Sequence, residues 1–279
     1  YIYGIDESND ISRNQLQYFG ASLSDYERSI AFNEIIRLLD ALVDAKEYGS
    51  ILHMEDYNWD LLYRFVENVD VEGQINLYSL DIDWTQNKLY TLVKIGHIMA
   101  QKYDIVVTNP PYLGSSRFSV KLDKYIKENY VNEKSDLSMV MYKRALTGLS
   151  RKNAYVAFIT TSSWMFLSSF EKMREFVQNT AAISSLIDFG TELFEGKVGH
   201  NPIVAWVTYN CPLKYRMTAM RLVDYCYSRR DEKESEFFSA HNRYTAKQNN
   251  FSKIPGSPVA YWVGENFFKT FEKGKIIGE

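Results

Sequence analysis

The stretch from Tyr103 to Tyr112, YDIVVTNPPY, constrains this chain most, because five residues of buried-strand character run straight into Asn-Pro-Pro-Tyr. Two successive prolines fix φ and carry no N–H, so the strand must end there and the loop must be stiff. A stiff loop bearing an amide and a ring after a buried strand belongs at the carboxyl edge of an α/β sheet, where such sheets place their ligands.

The residue types suit methylation of a planar amino nitrogen. The lone pair of such a nitrogen is delocalised, so it must be stabilised as it pyramidalises and gains positive charge. The side-chain oxygen of Asn109 and the carbonyl of Pro110 can each accept one amino hydrogen, and Pro111 removes a competing donor. Tyr112 offers a ring face for a flipped base. Asn-Pro also favours plain turns, and the preceding strand is the context that favours the catalytic reading.

The rest of the pattern supplies a sheet and its helices. Apolar spacing at Phe32, Ile35, Ile36, Leu39, Leu42 and Val43 predicts a helix over 24–48 that stops at Gly49. Helical patterns recur over 56–68 and 85–102, and Asp136 caps another helix. The run Ser168 to Glu171 reads as a capping box. Short strands are expected at 1–6 and 50–54, and further strands at 154–161, 183–189 and 203–209. Alternation of this kind predicts an α/β sheet with parallel strands. Acids at strand ends are candidate contacts for cofactor ribose, which nominates Asp6 and Asp56.

Composition excludes little. The net charge of -3, from 32 basic and 35 acidic residues, gives no global nucleic-acid footprint. Arg117, Lys121, Lys124, Lys127 and Lys134 form a basic stretch after the catalytic loop, but Asp123, Glu128 and Glu133 are interleaved with them. Cys211 and Cys226 show no disulfide framework, which fits a reducing cytoplasm. His53, His97, His200 and His241 are scattered, so no metal is expected. No apolar run reaches the roughly 18 residues that span a membrane, and none is expected to contact one.

The segments DIVVTNPPYLGS, KSDLSMVMYKRAL, YVAFITTSSWMFLSSFEKMREF and LIDFGTELFEGKVGHNPIVAWV, with IPGSPVAYWV near the end, resemble the γ-type adenine-specific DNA methyltransferases of type IIG restriction enzymes. The likeness is strongest to the BREX methyltransferases called PglX. It implies a Rossmann-like S-adenosylmethionine-dependent methyltransferase fold and methyl transfer to the exocyclic nitrogen of a flipped adenine. The implied partners are double-stranded DNA and other proteins of phage defence or restriction-modification. By the same resemblance Asn109, which also faces the cofactor, and Pro110 hold the amino group, Tyr112 stacks on the base, and Phe194 adds a second aromatic. The segment from Gly196 to Pro202 departs from the simplest family pattern.

One family feature is missing. A methyltransferase of this kind binds its donor at a Gly-rich turn, yet Gly4, Gly20, Gly49, Gly73 and Gly96 stand apart. The opening YIYGIDESND reads like mid-domain sequence, so the chain is expected to be an internal fragment with the donor loop upstream. Residues 1–212 are expected to form a partial catalytic domain, and 213–279 the start of a target-recognition or C-terminal region. Asp231-Glu232-Lys233 lacks the strand context of a nuclease. Two alternatives remain open: methylation of a protein glutamine or an RNA base, and a non-catalytic DNA-binding scaffold.

Overall fold

The computed structural model describes residues 2–70, 81–194, 200–212 and 216–273. They form two compact units, 1–101 and 102–279. The division differs from the boundary expected near 213, because strands beyond that point continue the sheet of the second unit. Residues 213–215 themselves lie outside the described residues.

The first unit is built from helices α1 (Asp25–Ala41), α2 (Ala45–Tyr48), α3 (Trp59–Glu67) and α4 (Ile82–Ala100). Ser24 and Glu27 cap α1 reciprocally, the Ser24 side chain accepting from the Glu27 N–H and the Glu27 side chain from the Ser24 N–H. The helix expected over 24–48 breaks after Ala41, where Asp44 takes a left-handed φ of 53°. Ile35, Leu38, Leu62, Phe65, Leu89, Leu92 and Val93 are wholly buried between the helices. Gly96 lets α4 approach closely, since a Cβ there would sit 2.6 Å from Leu38 Cδ1. His97 stacks on Trp59 with ring centroids 5.0 Å apart, a packing role.

Among the described residues the strand expected at 1–6 does not form over 2–6, nor does the one expected at 50–54. Ile2 is fully exposed and has no ladder partner among the described residues, and an isolated strand has nothing to offset its unpaired backbone. Over 49–54, a 3₁₀ turn at Gly49–Ile51 buries Ile51, Leu52 and Met54 among the helices instead.

The second unit carries a six-stranded sheet of β1 (Tyr103–Thr108), β2 (Ser150–Thr161), β3 (Ala182–Gly190), β4 (Ile203–Tyr209), β5 (Arg216–Arg221) and β6 (Arg243–Lys247). The strand order is β1-β2-β4-β3-β5-β6. β1 is parallel to β2, and β3 to β5. The expected all-parallel sheet is corrected by β4, antiparallel to both β2 and β3, and by β6, antiparallel to β5. Only 12 residues, 191–202, join β3 to β4, and β4 runs back beside β3, whereas a parallel pair needs a crossover of about a dozen residues or more, usually helical.

Helices α5 (Val120–Asn129), α6 (Leu137–Arg144), α7 (Glu171–Thr180), α8 (Lys233–Phe238) and α9 (Glu265–Lys273) complete the unit. The capping box expected at Ser168 is replaced by a 3₁₀ turn over Ser168–Phe170, and α7 starts without a side-chain cap. The core is aromatic at its centre. Trp206 stacks on Tyr142 and on Trp164, each at 4.2 Å, and its indole N–H donates to Thr160 Oγ1 at 3.1 Å. β1 is less buried than its composition suggests. It ends the sheet, so Val106 packs on the core while Ile105 and Val107 remain 64% and 68% exposed.

Candidate active site

β1 delivers the Asn-Pro-Pro-Tyr loop at its carboxyl end. Asn109 and Pro111 are exposed, Pro110 is buried and Tyr112 is half-buried. The Tyr112 hydroxyl donates to Asn109 Oδ1 at 2.8 Å, which joins the first and last residues of the motif. Burial pushes the Tyr112 phenol up to about 12, so the hydroxyl keeps its proton near neutrality and remains a donor.

The loop is pinned from a distant part of the chain. The Leu113 N–H donates to the Pro111 carbonyl at 3.1 Å, Leu137 N–H to Leu113 at 2.9 Å, and Ser115 N–H to Ser135 at 3.1 Å. Gly114 and Asp136 form an antiparallel bridge. Asp136 caps α6 as expected, its Oδ1 accepting from the Ser138 N–H at 2.9 Å. Burial raises the Asp136 pKa, against the pull of the Ser138 bonds and Arg117. These pins hold the loop by backbone groups and do not engage the Asn109 and Tyr112 side chains. The sequence reading missed this clamp, since nothing local to residues 133–137 announces a partner some twenty positions back.

Phe194 lies four residues beyond Gly190, half-buried, on the segment that leaves the carboxyl end of β3. Three strand steps separate β3 from β1, roughly 14 Å at 4.7–4.9 Å per step. Residues 196–199 of the departure noted at Gly196 to Pro202 lie outside the described residues.

The two acids nominated for the cofactor belong to the first unit, and neither ends a strand. Asp6 is held by Lys88 at 2.6 Å and Lys46 at 3.0 Å. Burial raises its pKa, but hydrogen bonds from Lys88, Lys46 and the Glu7 N–H outweigh that and bring it down to about 2. Asp56 is exposed and accepts from the Trp59 indole N–H at 3.2 Å. Both carboxylates therefore already have partners, and the described glycines form no Gly-rich turn beside them. These residues do not make a cradle for S-adenosylmethionine.

Among the described residues no group of three or more His, Cys, Asp or Glu is placed to hold a metal. No described helix is long and apolar enough to cross a membrane.

The model of the Eco57I restriction-modification methylases matches residues 2–194, most of the chain. The chain belongs to that family. It is 35% identical over 231 residues to the adenine-specific methyltransferase PglX of Lacticaseibacillus casei (strain Zhang), covering 79% of this chain and 19% of PglX. It is 29% identical over 266 residues to the adenine-specific methyltransferase BrxX of Escherichia coli O9:H4 (strain HS), covering 93% of this chain and 21% of BrxX. The chain thus spans about a fifth of the length of these curated relatives. Among solved structures it is similar to the DrdV–DNA complex, at 15% identity with a TM-score of 0.43 over 68% of this chain and 20% of that one. A modification subunit of a type I restriction enzyme from Vibrio vulnificus YJ016 shows 9% identity and a TM-score of 0.41, over 68% and 49%. The resemblance read from YDIVVTNPPY and its flanking segments agrees with the family and with both relatives.

Proposed function

We propose that this chain carries the base-methylating site of an adenine-specific DNA methyltransferase serving restriction-modification or phage defence. The observation that carries the reading is the rigid loop at the end of β1, in which Asn109, Pro110 and Tyr112 stand together and Tyr112 bonds to Asn109. The adenine turns out of the duplex, and its exocyclic amino group donates to Asn109 Oδ1 and to the Pro110 carbonyl. The two acceptors stabilise the charge that grows on nitrogen as it leaves the ring plane. Tyr112 turns its ring onto the base, and Phe194 is the second aromatic assigned to it.

The family implies S-adenosylmethionine as donor, which supplies a methyl group carried on a sulfonium. Asn109 and Pro110 would hold the acceptor nitrogen; the donor would supply the methyl group and leave as the thioether, and the surplus amino proton would pass to solvent. Because Asp6 and Asp56 do not form a donor cradle, the part of the reaction assigned to this chain is the acceptor side alone. The full protein's double-stranded DNA substrate and its partners in defence are part of the same proposal.

The test is product analysis. Duplex DNA, RNA and protein substrates incubated in parallel with the full-length protein and labelled S-adenosylmethionine are expected to yield label as N6-methyladenine in the DNA on enzymatic digestion. Label found on cytosine, on RNA or on a glutamine amide, with none on adenine, would contradict the assignment.

A further inference from the structure

A cavity of about 360 Å³ opens at the carboxyl ends of β2, β3 and β5, within the roughly 300–1,000 Å³ typical of small-ligand sites. Its lining does not include Asn109 to Tyr112.

The walls are aromatic. Phe166 and Trp262 meet edge to face with centroids 5.7 Å apart, and Tyr227 forms a further wall. All three rings keep substantial exposure, 41%, 38% and 73% respectively, so each has apolar face still to bury. The Arg221 guanidinium lies 5.8 Å from the Trp262 ring centre and is held by Asp224 at 2.7 Å.

The polar end is Asp188, only 5% exposed. Its Oδ2 accepts from the Tyr261 hydroxyl at 3.0 Å and its Oδ1 from the Gly190 N–H at 3.3 Å. A carboxylate oxygen has two lone pairs, so these bonds leave accepting capacity on both. Burial raises the Asp188 pKa, while Tyr261, Gly190 and Arg221 pull it down.

The backbone around the cavity is constrained. Glu192 and Tyr227 hold left-handed φ values of 63° and 55°, and the Tyr227 N–H donates to the Glu192 carboxylate. Non-glycine residues in that region cluster at ligand clamps.

We propose that this cavity binds a nucleobase, stacked among Phe166, Trp262 and Tyr227 with its polar edge toward Asp188 and Arg221. A flat heterocycle uses the ring faces, and its edge offers the donor and acceptor that a carboxylate beside a guanidinium complements. A phosphate would meet the Asp188 carboxylate, and a purely aliphatic ligand would leave it unpaired. The base comes from a bound nucleic-acid strand or from a free nucleotide. Preference for the strand rests on the function proposed above, whereas recognition of the ring does not.

The test is calorimetric titration of the four nucleosides and of short single- and double-stranded oligodeoxynucleotides into the wild-type chain and the Trp262→Ala, Tyr227→Ala and Asp188→Asn variants. Trp262 and Tyr227 are exposed enough for their variants to fold, which circular dichroism checks. Loss of either ring is expected to weaken binding about tenfold, in keeping with the removal of one stacking partner. Weakening for the oligonucleotides identifies a base of the strand, and weakening for nucleosides alone identifies a free nucleotide; both uphold the site. Binding that none of the three variants changes, or no binding of any of these ligands to the wild type, overturns it. Methyl transfer is not the readout, so ring-dependent binding without methylation would count against the proposed function and not against this cavity.

Discussion

The Tyr112 hydroxyl donates a 2.8 Å hydrogen bond to Asn109 Oδ1, so the acceptor assigned to the adenine amino group already has a donor from within its own motif. Asn109 is exposed, so water competes for this oxygen, and the bond orients the amide until a base arrives. On the proposed function, insertion of the base would exchange one donor for another and release the Tyr112 ring for stacking.

Removing the hydroxyl separates these two roles. Tyr112→Phe keeps the ring and frees Asn109 Oδ1, so kcat/KM for duplex DNA is expected to stay within about threefold of wild type or to rise. Tyr112→Ala removes the stacking surface as well and is expected to lower kcat/KM by about tenfold or more. Steady-state kinetics of methyl transfer by the full-length protein compare the two, and an equal loss in both variants would place the hydroxyl itself in the chemistry.

The same phenol sets an alkaline limit. Its pKa in the folded protein is raised to about 12 by burial, against about 10 in an unfolded chain. The folded state therefore holds this proton more tightly, and the resulting stability is complete below pH 10 and is lost as pH rises through about 12. Urea unfolding of wild type and Tyr112→Phe across pH 9 to 12 is expected to show the steeper decline in the wild type.

Asp6 behaves in the opposite sense. Its folded pKa is depressed to about 2 by Lys88 and Lys46 against the opposing effect of burial. Its contribution is present above about pH 4 and is lost as pH falls through 2. Asp6→Asn is expected to cost on the order of 1–2 kcal/mol at pH 7, allowing for solvent screening of the partly exposed pair. The cost should vanish in unfolding curves taken near pH 2.

Gly190 tests the backbone at the end of β3. It holds a φ of 65°, and a Cβ there would lie 2.8 Å from Val223 Cα, a backbone atom that cannot swing aside. Gly190→Ala is expected to destabilise the protein by about 1–3 kcal/mol, from strain and clash together, read as a lower Tm without loss of secondary structure.

Much of this architecture is legible in the sequence because local pattern and tertiary demand agree. The alternation of Ala154, Val156 and Phe158 marks β2, and Asp136 caps α6 by its own side chain. The candidate site was legible for the same reason, since Asn109 to Tyr112 are contiguous. What stayed hidden depends on partners far along the chain. Ile2 to Asp6 has strand composition but no neighbouring strand among the described residues, and β4 inserts between β2 and β3 through pairing that no periodicity encodes. Asp188 is separated by 33 positions from Arg221 and by 74 from Trp262 along the sequence, so the cavity they share emerges only on folding. An acid inside the apolar run Leu186-Ile187-Asp188-Phe189 was the one local signal for it.

The central claim is that Asn109 accepts the amino hydrogen of the adenine in the transition state. The most direct test compares the rate of N6-methyladenine formation in duplex DNA by the full-length wild-type protein and by its Asn109→Ala variant, with DNA affinity measured in parallel. Asn109 is exposed, so the variant is expected to fold and to keep its affinity for DNA, while kcat falls by about 10²–10³, the scale of removing one preorganised electrostatic partner. A kcat within a fewfold of wild type would contradict the account.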